Sequence, residues 1–176
     1  MPADLLRERV GQSIWDPYFK FCVVRNPYDK VISAFYFWQY RKQGYVEFGD
    51  LDSERAKLEN WLLACKDIRH ALLLPIDYDR YTIDGKFCMD SVIRYESLTA
   101  DMERICNHLN LPWEPSFLPT FKAGIRPPDA KTADLYTPMA RKIVEVIFAT
   151  ELTLLNYSFP GDDDPPIQES GSTPRN

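Results

Sequence analysis

Arg25 closes an apolar run, "FKFCVV", and is followed at once by Asn26-Pro27 and, eight positions on from the arginine, by Ser33. A guanidinium and a hydroxyl set across a strand-to-helix junction are the parts from which a phosphate seat is built. Asn is a good N-cap and Pro is pre-set for the first helical position, so a helix starts here and runs to about Lys42. Ser33 lies about two turns beyond Asn26 and projects on the same side as the helix start. A phosphate there takes a charge-assisted bond from Arg25 and a hydroxyl bond from Ser33, with the helix dipole assisting. The same residue types also serve as a strand-end ion pair and an ordinary helical serine, and spacing alone leaves both readings open.

Other chemistry-bearing residues each carry two readings. His70, in "DIRHALLLP", is placed to act as a general base on an acceptor hydroxyl or simply to pack beside its apolar run. Asp29 fits helix-start electrostatics, since a carboxylate in the first turn meets the positive end of the dipole. Lys30 either assists phosphate binding or lays its stem along the surface. Glu96 orients neighbours at a strand end or meets an acceptor. The aromatic run "YFWQY" at 36 to 40 offers a stacking surface for a sugar, or core. Four cysteines without a CxxC pair and two histidines without ligand spacing predict reduced thiols and no metal site.

The elements that must position these residues read as alternating strands and helices. A short helix covers 2 to 11 with Leu5, Leu6 and Val10 on its apolar side and Gly11 as a stop. "YFKFCVV" is a strand whose near-continuous apolar character suits a sheet covered on both faces. A charged helix follows over about 52 to 66, then a hairpin signalled by Asp84-Gly85. "DSVIRYESL" is a second buried strand ending at Tyr95-Glu96, and it feeds a helix with Leu98, Met102, Ile105 and Leu109 in one stripe. Five prolines and one glycine in "PWEPSFLPTFKAGIRPPDAK" predict a long surface loop. Thr137-Pro138 opens a last helix that runs to about Leu155 and buries Ile143, Val144, Ile147 and Phe148. This pattern predicts an α/β domain with a largely parallel sheet, whose ligands bind beyond the carboxyl ends of the strands, where Arg25 and Tyr95 both sit. One domain spans 1 to 159, and the acidic, Pro-rich residues 160 to 176 are expected to be disordered.

Net charge is −5 and the pI about 5.1, which excludes a protein whose affinity rests on broad neutralisation of nucleic acid or an anionic membrane. Any anion site is therefore local. No apolar run is long enough for a bilayer, so as written the chain reads as cytoplasmic, with room for a membrane anchor ahead of Met1 in a longer form.

"FKFCVVRNPYDKVISAF" resembles the 3′-phosphate-binding segment of the sulfotransferases that use 3′-phosphoadenosine 5′-phosphosulfate (PAPS), in which a strand delivers Arg and the next helix delivers Ser eight positions on. Arg25 and Ser33 match that pair. "VIRYESLTADMERICNHLNLP" is similar to a second segment of the family, where the aromatic before the Glu contacts the adenine, here Tyr95. "LPTFKAGIRP" resembles the late loop that closes over the nucleotide, with Lys122, Gly124 and Arg126 in its basic and glycine positions. The closing "YTPMARKIVEVIFATELTLLNYSF" is similar to the terminal helix and its Tyr-x-Phe ending. The resemblance covers roughly residues 15 to 159 and is nearest to the bacterial and carbohydrate-type members.

That resemblance implies a P-loop-NTPase-like parallel sheet flanked by helices, PAPS as donor, no metal, and sulfuryl transfer to a hydroxyl acceptor of the carbohydrate class. It departs from the family at the start. The lysine- and glycine-bearing loop that holds the 5′-phosphosulfate has no counterpart, and Gly11 in "VGQSIW" offers no partner lysine. The expectation is of an N-terminally truncated member, as a mis-started product, as a piece of a longer enzyme, or as a natural nucleotide-binding or interaction remnant without turnover. Loss of a central strand would expose sheet edges and favour self-association.

Overall fold

The computed structural model describes residues 1–65, 73–119 and 124–162. His70, Lys122 and most of the expected tail lie outside the described residues. Within them the chain is a mixed helix-and-sheet fold with a small parallel sheet.

Helix α1 (Ala3–Val10) and the one-turn α2 (Gln12–Trp15) are separated by Gly11, whose φ of 83° is open to glycine at little steric cost. The buried side of α1 differs from the expected one. Ala3 packs against Trp15 and Ile83, while Leu5 and Leu6 face outward. Small Ala3 permits the close approach that leucine would block.

Strand β1 (Phe21–Val24) pairs in parallel with β4 (Ser91–Arg94), in the register Phe21 to Ser91 through Val24 to Arg94. The crossover between them carries α3 (Pro27–Gln43), α4 (Leu51–Ala64) and the hairpin β2 (Thr82–Ile83) and β3 (Lys86–Phe87). Asp84 and Gly85 both take positive φ, 52° and 73°, as a two-residue type I′ connection requires. After β4, a 3-10 turn at Tyr95–Ser97 leads into α5 (Leu98–His108). The Pro-rich segment has one 3-10 turn among its described residues, Pro115–Phe117. It then reaches α6 (Thr132–Leu135), α7 (Pro138–Ile147) and α8 (Ala149–Leu155).

Local signals account for the helix starts. The Asn26 side chain accepts from Tyr28 N with Pro27 at the first position, Asp50 accepts from Ser53 N, and Thr137 accepts from Ala140 N ahead of Pro138. The expected last helix is two helices, because Phe148 leaves helical geometry (φ −104°, ψ 17°) as its ring enters the core.

The main core lies between helices. Tyr28, Val31, Ile32, Phe35 and Tyr36 of α3 meet Leu58, Trp61 and Leu62 of α4 and Ile143 and Val144 of α7. One buried carboxylate is fully engaged there, Glu54 accepting from Tyr36 Oη at 3.0 Å and from Lys57 Nζ at 2.7 Å.

The sheet is not covered on both faces, contrary to the expectation from its apolar run. Val23 is 53% exposed while its register partner Ile93 is 0% exposed. The difference follows from α5, which packs on β4. Phe21 also faces outward, so one apolar side of β1 is open among the described residues. These partners should respond oppositely to truncation. Ile93→Ala is expected to cost about 2–5 kcal/mol and Val23→Thr within about 0.5 kcal/mol, measured by urea denaturation. Equal losses would mean that β1 is covered on both faces after all.

Candidate functional site

The first turn of α3 is locked to the ends of both parallel strands. Glu96, just past β4, accepts from Asn26 N at 2.7 Å and from Tyr157 Oη at 3.0 Å. Asn26 Nδ2 donates to Ser158 O at 2.9 Å. Glu96 thus orients its neighbours, the plainer of its two readings. These bonds fix the residue after Arg25, and so the direction in which that side chain leaves the strand.

Arg25 and Ser33 line one cavity of about 250 Å³, together with Lys30, Ala34, Phe37, Pro75, Ile125 and Arg126. Lys30, Ser33, Ala34 and Phe37 recur at three- and four-residue steps, which is one face of α3. The cavity therefore runs along the side of the helix. Asn26 already satisfies the Tyr28 N–H at the helix start, so the expected dipole contribution is secondary to the side chains. Arg126 reaches the same cavity from the far end of the Pro-rich segment.

Asp29 joins the two arginines. Arg25 Nε and Nη2 each approach Asp29 Oδ2 at 2.5 Å, and Arg126 Nη1 donates to Asp29 Oδ1 at 2.5 Å. Thr132 Oγ1 adds a bond to Asp29 Oδ1 at 2.6 Å. Arg126 also donates from Nε to Ala130 O at 2.8 Å and from Nη2 to Ala130 O and Thr132 Oγ1. The sequence reading of Asp29 as helix-start electrostatics missed this. Thr132 was missed too, and nothing in its local sequence signals it. Burial of Asp29 by itself would raise its pKa, but the bonds from Thr132 and Arg126 and the charges of Arg25 and Arg126 outweigh it and hold the carboxyl below its ordinary range.

Lys30 faces the cavity but is paired, with Glu151 at 3.2 Å and Asp77 at 3.3 Å. Buried Glu151 also accepts from Tyr81 Oη at 2.7 Å. Among the described residues the surplus charge at the cavity is accordingly that of two guanidiniums against one carboxylate. Tyr95 stacks against Arg25, whose guanidinium carbon lies 4.4 Å from the ring centroid; the residue is 50% exposed and is not among those lining the cavity. Gly124, at φ 79°, lines a neighbouring cleft with Ile125 rather than this cavity. Among the described residues no group of three His, Cys, Asp or Glu gathers as metal ligands, and no helix is long and apolar enough to cross a membrane.

Over 115 residues the chain is 31% identical to an uncharacterized protein of Archaeoglobus fulgidus, a stretch covering 65% of this chain and 86% of the other. The two belong to one family. No described family profile matches the chain, and no solved structure does. The archaeal relative carries no stated activity, which leaves the chemistry of the cavity as the ground for a function.

The lowered Asp29 pKa has a signed consequence. A carboxyl with a folded pKa below its unfolded value adds stability above the unfolded pKa and loses it as pH falls through the folded one. The stability gap between wild type and Asp29→Asn should be full near neutral pH and shrink as pH drops below about 5. Urea titrations across that range check it, and a gap that stays constant in acid would show that Asp29 is not held ionised by its arginines.

Proposed function

We propose that the chain binds PAPS through its 3′-phosphate and acts as a sulfotransferase toward a hydroxyl acceptor, with a carbohydrate as the acceptor class. The observation that carries this is the convergence of Arg25, Ser33 and Arg126, singled out from separate stretches of sequence, on one cavity. Its volume of about 250 Å³ is below the usual range of about 300–1,000 Å³ for whole small molecules, and it suits a phosphate-sized group. Adenosine would then extend from the cavity toward Tyr95, a half-exposed residue whose ring already stacks on Arg25.

The protein's own contribution is positioning and charge. Asp29 occupies one edge of each guanidinium, leaving other N–H donors of Arg25 for a phosphate oxygen. The Ser33 hydroxyl, which also lines the cavity, supplies a further donor. Sulfuryl transfer would form an S–O bond to the acceptor and break the bridging S–O bond, releasing adenosine 3′,5′-bisphosphate and passing the hydroxyl proton to a base. The parallel pair β1–β4 would form part of the P-loop-NTPase-like sheet that this reading entails.

Nucleotide binding without turnover is the second reading. What favours it is that Arg25, Ser33 and Arg126, which meet at the cavity, are groups that hold a 3′-phosphate and take no part at the reacting end. The catalytic base proposed from sequence, His70, is outside the described residues.

Both readings require the 3′-phosphate to be the recognised group. Arg25→Ala and Ser33→Ala should each weaken adenosine 3′,5′-bisphosphate, Arg25→Ala by about tenfold or more, while changing adenosine 5′-monophosphate binding little. Calorimetry giving equal losses for the two nucleotides would remove the assignment. A radiolabelled-donor assay against carbohydrate acceptors then separates the enzyme from the binder.

A further inference from the structure

The two edges of the parallel pair are finished differently. In a parallel ladder alternate residues aim their N–H and C=O groups at the neighbouring strand, and the others aim them outward. On β4 the outward residues are Val92 and Arg94, and α5 meets a group of each: Asp101 Oδ2 accepts from Arg94 N at 2.8 Å, and Arg104 Nη2 donates to Val92 O at 3.1 Å. That edge is closed to a further strand. On β1 the even positions turn toward β4. Lys20 O accepts from Ser91 N at 3.1 Å, Lys20 N donates to Asp90 Oδ2 at 2.8 Å, and at the far end Asn26 N donates to Glu96. Phe21 and Val23, with Arg25 just past the strand end, therefore aim their backbone groups away from β4, and among the described residues those groups meet no partner.

The side chains match the open edge. Phe21 and Val23 are 43% and 53% exposed on the face where α5 covers only the neighbouring Ile93. Native proteins guard an edge strand with charged side chains or proline, and Phe21–Val24 carries neither.

We propose that this edge is an interface with a second copy of the chain, whose β1 runs antiparallel to the first across a two-fold axis through Val23. The outward positions fix that register. With the axis at Val23, Val23 faces its own copy and Phe21 faces Arg25 of the second copy, so the outward N–H and C=O groups of each strand meet those of the other. No like charges stand opposite each other, since Lys20 falls across from Asn26 and Arg25 across from an aromatic ring. Such a contact uses the same patch on both copies and closes on itself. The product is a four-stranded sheet whose outer edges are both β4, already capped by Asp101 and Arg104. Four strand residues bury less than the about 800 Å² per partner of a standard interface, so the dimer is weak, with a dissociation constant on the order of tens of micromolar. The pairing does not depend on phosphate recognition.

Sedimentation velocity of the full chain from about 1 to about 500 µM, a range that brackets such a constant, tests the proposal. The expected result is a reversible monomer–dimer equilibrium without larger species. Val23→Lys and Val23→Glu each set two like charges on the axis and should each raise the dissociation constant by about tenfold or more. An equal mixture of the two variants should regain dimer, because only the mixed pair sets opposite charges face to face. Val23 is more than half exposed, so both variants should fold, which circular dichroism checks. If either does not, amide exchange of wild-type residues 21 to 25 carries the test, and it should slow as concentration rises. The proposal is overturned if the wild type stays monomeric and its exchange ignores concentration, if it forms open-ended aggregates, if either variant dimerises like the wild type, or if the mixture is no more dimeric than its components.

Discussion

The structure around the cavity depends on one carboxylate shared by two arginines. Asp29 receives Arg25 on one oxygen and Arg126 on the other, with Thr132 beside Arg126. Two guanidiniums lining one small cavity repel each other, and a carboxylate between them removes most of that cost. The same contact fastens the late loop to α3, since Arg126 also holds Ala130 O just before α6 begins. All three ionised side chains are about a quarter exposed or less. Breaking the cluster should therefore cost between the roughly 1 kcal/mol of a surface pair and the about 3–5 kcal/mol of a buried one.

A second network works at the strand ends. Glu96 ties the Asn26 N–H to the Tyr157 hydroxyl, and Arg94 stacks on Tyr157 at 4.4 Å while donating to Leu155 O at 2.7 Å. The end of β1, the end of β4 and the chain after α8 thereby meet at one point. Phe159 continues the tie by packing edge-on against Tyr28 and Tyr136. Rigid placement of α3 relative to β1 is what keeps Arg25 and Ser33 on one cavity, because a hinge there would separate the two side chains.

Features with local causes were legible in the sequence. Asn26-Pro27, Thr137-Pro138 and Asp84-Gly85 act through their own backbone geometry, and each stands where its chemistry predicts. That Arg25 and Ser33 would face one cavity was legible for the same reason, since Ser33 lies about two turns beyond the cap Asn26 and Arg25 is the residue just before that cap. Asp29 was not, because its decisive partners lie 97 and 103 positions away and a first-turn aspartate already has a sufficient local reason to exist. The exposure of Phe21 and Val23 was hidden differently: an apolar run looks the same whether one face is covered or two. The kink at Phe148 is set by where its ring packs, which periodicity does not encode.

The central claim is that Asp29 presents the two arginines to a phosphate rather than merely neutralising them. Affinity of Asp29→Asn for adenosine 3′,5′-bisphosphate decides between these, because charge alone and geometry predict opposite signs. Removing a negative charge from an anion site should tighten binding if only net charge matters. Shared anchoring predicts the reverse, a loss of about tenfold or more as Arg25 and Arg126 lose the carboxylate that aims them. Unchanged or tighter binding by Asp29→Asn would contradict it.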